Sequence, residues 1–270
     1  MSKIGNAISE IHRMDQLAER DQWVNRIHPL VKFVLTIAYI AIVVSFHKYD
    51  IYGIAGMAIY PYLMYTIADL SWKDSFKRLK IVLPLVCFIG IFNPIFDRTI
   101  VTLGDMQIRA GVLSMLTLMM KGVFSVLASY LLIATTSIDK ICYALDLLHV
   151  PKIMITQFML TYRYVTVLLE EVNRITQAYA LRAPKQKGIH YRVWGSLTGQ
   201  LLLRSMDRAT VVYESMTLRG FQGNYRYLGK KIKWSWKDGL YMLIWLVLFV
   251  VLRKIPVILV IGNYVGGLFV

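Results

Sequence analysis

The sequence predicts an all-α fold: a polytopic membrane helical bundle of five spans, or six, with two long helices on its cytoplasmic side. Three observations lead there. Of 270 residues, 57% are hydrophobic and 17% charged, against roughly 25% charged in an ordinary soluble domain. The apolar residues gather in runs near the roughly 20 residues that cross a bilayer. The net charge is +15, and most of the basic residues fall between the runs, as Lys and Arg do in loops retained on the cytoplasmic side.

The elements follow in order. Residues 1–29 carry charges throughout and no apolar run, so no cleavable signal is expected and the first apolar run is an anchor. Residues 30–46 form the first span. His47, Lys48, Tyr49 and Asp50 make a tight loop of zero net charge. Residues 51–68 form a second span, kinked by Pro61. Residues 81–96 make a short third span with Pro84 and Pro94 inside, and residues 111–134 a fourth. Residues 239–252 form the fifth, and residues 255–270 complete it or cross again. Four regions result: an N-terminal segment (1–29), a four-span region (30–134), a cytoplasmic region (135–238) and a C-terminal membrane segment (239–270).

The loops set the orientation. Residues 69–80 hold four basic and two acidic side chains, residues 97–110 two of each, and residues 135–238 sixteen basic and seven acidic. The N-terminus, the second loop and the long fourth segment are expected inside.

Several function classes fall away. Two cysteines, Cys87 and Cys142, make neither a disulfide framework nor a cysteine metal cluster. The basic charge is what cytoplasmic loops require, so no nucleic-acid partner is expected. The histidines at 12, 28, 47, 149 and 190 form no pair at metal-ligand spacing. Gly229-Lys230-Lys231 lies one residue too far from Gly223 for an ATP-binding loop, and no Ser or Thr follows. Glu170 and Glu171 diverge by ~100° on a helix and make a poor acid–base pair. Lys121 falls midway along the fourth span, where a charge is costly. It is expected to bond a carbonyl freed near Pro84 or Pro94, to contact a partner, or to snorkel.

The 135–238 segment is too long to be structureless. Pro151 opens a helical run that reaches Ala183. Its stripe comprises Ile155, Phe158, Met159, Tyr162, Val165, Leu169, Val172 and Ile175, at spacings of three and four. Glu170 and Arg174 stand four apart and are expected to pair. Pro184 and Gly188 stop the run. A second helix is read from Tyr191 to Leu218, with Gly220 at its C-cap. The two runs end alike, as Leu181-Arg182-Ala183 and Leu218-Arg219-Gly220, each with a small residue three before its leucine. A basic residue in a last helical turn also gains ~0.3–1 kcal/mol from the helix dipole alone.

Apolar spans followed by two such helices resemble the transmembrane T component of energy-coupling-factor (ECF) transporters, a branch of the ATP-binding-cassette importers. That family's mark is a pair of Ala-Arg-Gly motifs closing two coupling helices. The second ending here is near that pattern, with Phe221 following; the first has Ala183 for glycine, and Pro184 follows. Thr161-Tyr162-Arg163-Tyr164 and Leu168-Leu169-Glu170-Glu171 resemble the first coupling helix. Leu148-His149-Val150-Pro151 resembles the turn before it, and Ile27-His28-Pro29-Leu30-Val31-Lys32 the start of span one. The likeness runs from Met14 to Gly223, and Met14-Asp15-Gln16-Leu17-Ala18 is most similar to the cobalt-type (CbiQ) subgroup.

The resemblance implies a non-catalytic subunit in the plasma membrane of a prokaryote, binding no cofactor itself. ATP would sit on two partner ATPase subunits, docked through Leu181, Arg182, Ala183, Leu218, Arg219 and Gly220. A separate substrate-binding membrane subunit, the S component, would select cobalt or nickel, or else a vitamin. The apolar stripe would pack against that subunit and the bilayer surface. A stand-alone secondary transporter is the alternative from another class, but it should show repeated broken helices and several intramembrane polar groups. An intramembrane lipid-modifying enzyme would need carboxylates and histidines that the spans lack.

Overall fold

A computed structural model describes residues 3–96, 100–103, 106–184, 188–223 and 234–255. In chain order the elements are α1 (Lys3–Glu19), α2 (Trp23–Arg26), α3 (Pro29–Ser45), α4 (Ile51–Gly56), α5 (Ile59–Ile67), α6 (Trp72–Gly90), α7 (Phe92–Phe96), β1 (Ile100–Leu103), β2 (Met106–Arg109), α8 (Ala110–Thr135), α9 (Ile138–Leu147), α10 (Lys152–Arg182), α11 (Tyr191–Leu218) and α12 (Trp236–Lys254). The all-α class holds, with one antiparallel hairpin added in which Ile100 faces Arg109 and Leu103 faces Met106. The chain divides into two compact units. One comprises Met1–Ala18 with Ser137–Lys231, the other Glu19–Thr136 with Ile232–Val270.

In the second unit a helix stands at each of the five expected spans. Two are long and apolar enough to cross a bilayer by themselves, Trp72–Ile95 and Ala110–Thr135. Pro29–Ser45 and Ile51–Ile67 are apolar but shorter; at 1.5 Å per residue, 17 residues rise only about 25 Å. The sixth crossing, in residues 255–270, lies outside the described residues beyond Ile255.

α8 is the packing centre, touching α3, α4, α5, α6 and α7. α6 and α8 come close because each turns a glycine to the other: a Cβ on Gly122 of α8 would meet Val86 Cγ2 at 3.2 Å, and one on Gly90 of α6 would meet Met115 Cγ at 3.2 Å. Tyr65 ties three helices, donating its hydroxyl hydrogen to Leu127 O (3.3 Å) and accepting from Ser75 Oγ (3.0 Å). Tyr39, Tyr60, Trp245 and Phe249 form an aromatic cluster joining α3, α5 and α12, with centroids 4.7–5.9 Å apart.

Three sequence expectations need correction. Residues 69–80 are not a loop, because α6 starts at Trp72. Lys73, Lys77, Arg78 and Lys80 interrupt the apolar run but are good helix formers, and Ser75 and Leu79 are buried between them. Residues 97–110 include the hairpin. The third span, read as short at residues 81–96, is 24 residues long, Trp72–Ile95, running through Pro84 with a break at Ile91.

Pro61 acts as expected, and the structure shows how its cost is met. A helical proline cannot donate to the carbonyl four residues back and crowds it. That carbonyl belongs to Met57, where the helix breaks between α4 and α5. Tyr39, fully buried, donates its hydroxyl to Met57 O at 2.9 Å. Replacing Tyr39 by Phe should leave this carbonyl unsatisfied and cost about 1–3 kcal/mol. In a Pro61→Ala background residue 61 regains its own N–H, and the same replacement should cost measurably less. Denaturant unfolding of the four proteins in mild detergent gives the coupling directly.

Candidate functional site

The first unit is built from α1, α9, α10 and α11. α9 was not foreseen as a separate helix. It ends in a Schellman turn: His149 N–H donates to Asp146 O (3.0 Å) and Val150 N–H to Leu145 O (3.2 Å). His149 takes the left-handed conformation this requires, at φ 62°. Pro151 then becomes the N-cap of α10. Cys142 and Ile155 are buried together here, packed by Ile138, Leu145, Val150 and Met159. This fixes the start of α10 against α9.

Beyond that anchor the long helices bury little. Among the described residues Ile155 is the one buried position on α10, and α11 has none. Phe158 and Val165 of the predicted stripe are 47% and 39% exposed. The stripe is therefore divided: Ile155 and Met159 pack at the α9 anchor, while Phe158 and Val165 are left on the surface of this unit.

α10 and α11 run antiparallel. At the connected end, His190 N–H donates to the Tyr179 hydroxyl at 3.3 Å. At the other end, Ile153, Thr156 and Gln157 line the same open apolar groove, about 490 Å³, as Met216 and Phe221. The helices cross near their middles, where Leu168, Ser205, Arg208 and Val212 line the grooves on both sides. Glu171 bridges the crossing by pairing with Arg204 of α11. Glu171 also lies 3.9 Å from Arg174. The expected Glu170–Arg174 pair is thus replaced by one on the adjacent glutamate, whose side chain is only 18% exposed. A neighbouring helix decides between i+3 and i+4 here, which local spacing could not reveal.

The predicted residues Leu181, Arg182, Ala183, Leu218, Arg219 and Gly220 form two separate tips. From the Glu171–Arg204 pair, Arg182 lies 11 residues further along α10 and Arg219 15 residues further along α11. The arms are therefore about 16 and 22 Å long, and the arginines sit at opposite ends of the pair, up to about 40 Å apart. Leu181 and Leu218 are 83% and 89% exposed, and both arginines are exposed. Two leucines held in solvent beside arginines are a cost that packing within the unit does not explain.

The two tips differ in backbone. α11 closes in a Schellman turn: Gly220 N–H donates to Thr217 O (2.9 Å) and Phe221 N–H to Met216 O (2.9 Å), with Gly220 at φ 79°. Phe221 and Met216 then share the groove wall. α10 has no such turn. Ala183 N–H donates to Tyr179 O (3.0 Å) and leaves the helix at φ −128°, because Pro184 disfavours helical backbone at the residue before it. The similar sequence endings therefore make different ends.

α1 belongs to this unit through a contact that sequence reasoning missed. The Tyr162 hydroxyl donates to Asp15 Oδ1 at 2.7 Å. Half-buried Ile8, Ile11, Met14 and Leu17 recur on the same side of α1, a stripe that could have signalled a docked helix.

This is an all-α membrane protein, one of whose two compact units ends its long helices in two exposed tips. Residues 20–228 match the CbiQ family, described as cobalt transport protein. The chain is similar to the energy-coupling factor transporter transmembrane protein EcfT of Leuconostoc gelidum subsp. gasicomitatum, 24% identical over 223 residues that cover 75% of this chain and 81% of the relative. It is also similar to the nickel permease LarQ of Lactiplantibacillus plantarum, 31% identical over 101 residues, 37% of each chain. The chain belongs to the CbiQ family, and so to the membrane T components of ECF transporters that its sequence resembles.

Burial first, then the hydrogen bond and charge of Asp15, and last the charge of Asp139, hold the Tyr162 phenol above its ordinary value of 10. A raised folded value means the contact contributes fully below about pH 10 and is lost as pH rises beyond it. Tyr162→Phe should expose α1 to trypsin at Arg13 already at neutral pH. In the wild type the same cleavage should accelerate only above about pH 10.

Proposed function

We propose that this chain is the coupling subunit of an ATP-driven importer of a transition-metal ion, cobalt or nickel. It hydrolyses nothing itself. Two ATP-binding-cassette subunits bind beneath it and carry the ATP, and a separate S component takes up the ion. The N-terminal segment and residues 135–238 face the cytoplasm, while residues 30–134 and 239–270 lie in the plasma membrane.

The observation that carries this reading is the pair of exposed leucine–arginine tips at opposite ends of two antiparallel helices. A guanidinium offers a planar fork to carboxylates in a groove. The exposed leucine beside it supplies apolar area at the same contact. Two tips on one rigid pair suit two copies of one ATPase, and joining the contacts raises retention by ~10²–10⁴ over a single one. The half-exposed α10 face offers the S component an apolar surface. The metal cargo is supported by the family's description and by the nickel permease among the relatives.

Arg182→Glu and Arg219→Glu should each strip ATPase subunits from the purified complex, by roughly 10²-fold in retention, while the membrane protein still inserts. Full retention in both would overturn the docking role. Uptake of radiolabelled cobalt and nickel by cells carrying the complete complex tests the cargo; vitamin uptake instead would reassign it.

Gly220→Ala separates the turn from the charge. Nothing lies within 4 Å of the added Cβ, so its effect comes from the left-handed backbone, about 1–2 kcal/mol. ATPase retention should fall, though less than with Arg219→Glu. Ala183→Gly should change retention little, because residue 183 is not left-handed.

A further inference from the structure

In the membrane unit, three consecutive carbonyls at the end of α3 are held by two cations from different helices. Lys121 Nζ donates to Val44 O at 3.0 Å and Phe46 O at 2.5 Å. Arg253 Nη2 donates to Ser45 O at 2.9 Å, and its guanidinium lies 4.4 Å from the centre of the Phe46 ring. Lys121 therefore finds its partners at the end of α3 and not near Pro84 or Pro94. A helix C-terminus carries only about half a negative charge, so two full positive charges converge on a partner that neutralises neither.

Among the described residues no carboxylate pairs with Lys121 or Arg253. The nearest acid in sequence on this side, Asp50, spends its Oδ1 on the Gly53 N–H at 3.0 Å as the N-cap of α4. Lys48 and Lys254, both exposed, lie on the adjoining segments. Arg253 is also exposed, and one contact to Ser45 leaves most of its five donors unused. The flanking surface is apolar: Val44 is 58% exposed, Val247 53%, Val250 52% and Val251 39%.

We infer that Arg253 and Lys121 seat the phosphate of an anionic phospholipid, with its acyl chains lying along the valine faces of α3 and α12. The stacking of Arg253 on Phe46 orients its fork, which matches two phosphate oxygens at once. Lys121 adds a point charge beside it, and the lipid supplies the missing negative charge. A free phosphate would share the polar contacts but not the valines, which favours the lipid. The inference is independent of ATPase docking.

The full chain is purified in mild detergent and titrated with phosphatidylglycerol or with phosphatidylcholine of the same acyl chains, and bound lipid is counted by native mass spectrometry. One phosphatidylglycerol should be held at least roughly tenfold more tightly than phosphatidylcholine. Arg253→Gln and Lys121→Gln should each lose that preference. Both side chains also cap α3, so Arg253→Lys serves as a second probe: it keeps a donor for Ser45 O but lacks the fork, and retention should fall while the protein stays monodisperse. Unchanged phosphatidylglycerol retention in Arg253→Lys and Lys121→Gln, or equal binding of the two lipids, would overturn the site. Displacement of the lipid by millimolar inorganic phosphate would overturn the lipid assignment; failure of phosphate to compete is the expected result.

Discussion

Everything in the membrane unit depends on closing backbone groups at helix ends where water is scarce. A carbonyl left open in an apolar medium costs several kcal/mol, and this bundle has short helices and therefore many ends. Four described ends are met by side chains from elsewhere in the chain. Tyr39 serves the break above Pro61. Lys121 and Arg253 serve the end of α3. Buried Lys32 serves the end of α8 by donating to Thr135 O at 2.7 Å. At the opposite polarity, Asp238 accepts the His28 N–H at 3.2 Å while also capping α12 through Ser235, joining the starts of two helices 210 residues apart in sequence.

The first unit obeys the opposite rule. Its long helices gain little from burial and are fixed instead at a few points: the α9 turn, the Glu171–Arg204 crossing and the Tyr179–His190 contact. Pairs of exposed or half-exposed charges are individually weak, ~0.2–1 kcal/mol. Sparse attachment leaves Phe158, Val165 and the two leucine tips exposed.

Much of this was legible in the sequence because punctuation residues were strong. Pro151, Pro184 and Gly220 delimit α10 and α11, and the sequence reading of both ends agrees with the structure to within a residue. Apolar run length found α3 and α8. It missed the start of α6, where four basic residues interrupt the apolar run. It also failed at the hairpin, whose strands are four residues each. The tips were visible as a repeated tripeptide, but their unequal geometry was not, because Ala183 and Gly220 look alike as small residues and differ only in φ. Glu171 was passed over for Glu170 because the deciding partner lies 33 residues away. The function of Lys121 was hidden for the same reason, its acceptors being 75 and 77 residues distant.

The attachments of α10 and α11 make the two tips mechanically unequal. α10 is clamped to α9 at its start, so the Arg182 tip belongs to an anchored rod. α11 holds to α10 at its own start and at the Glu171–Arg204 pair. Its last 15 residues form a lever about 22 Å long with Arg219 at the free end. A tilt of α11 about that pair moves Arg219 and leaves Arg182 in place, so one prong is a fixed post and the other a moving arm.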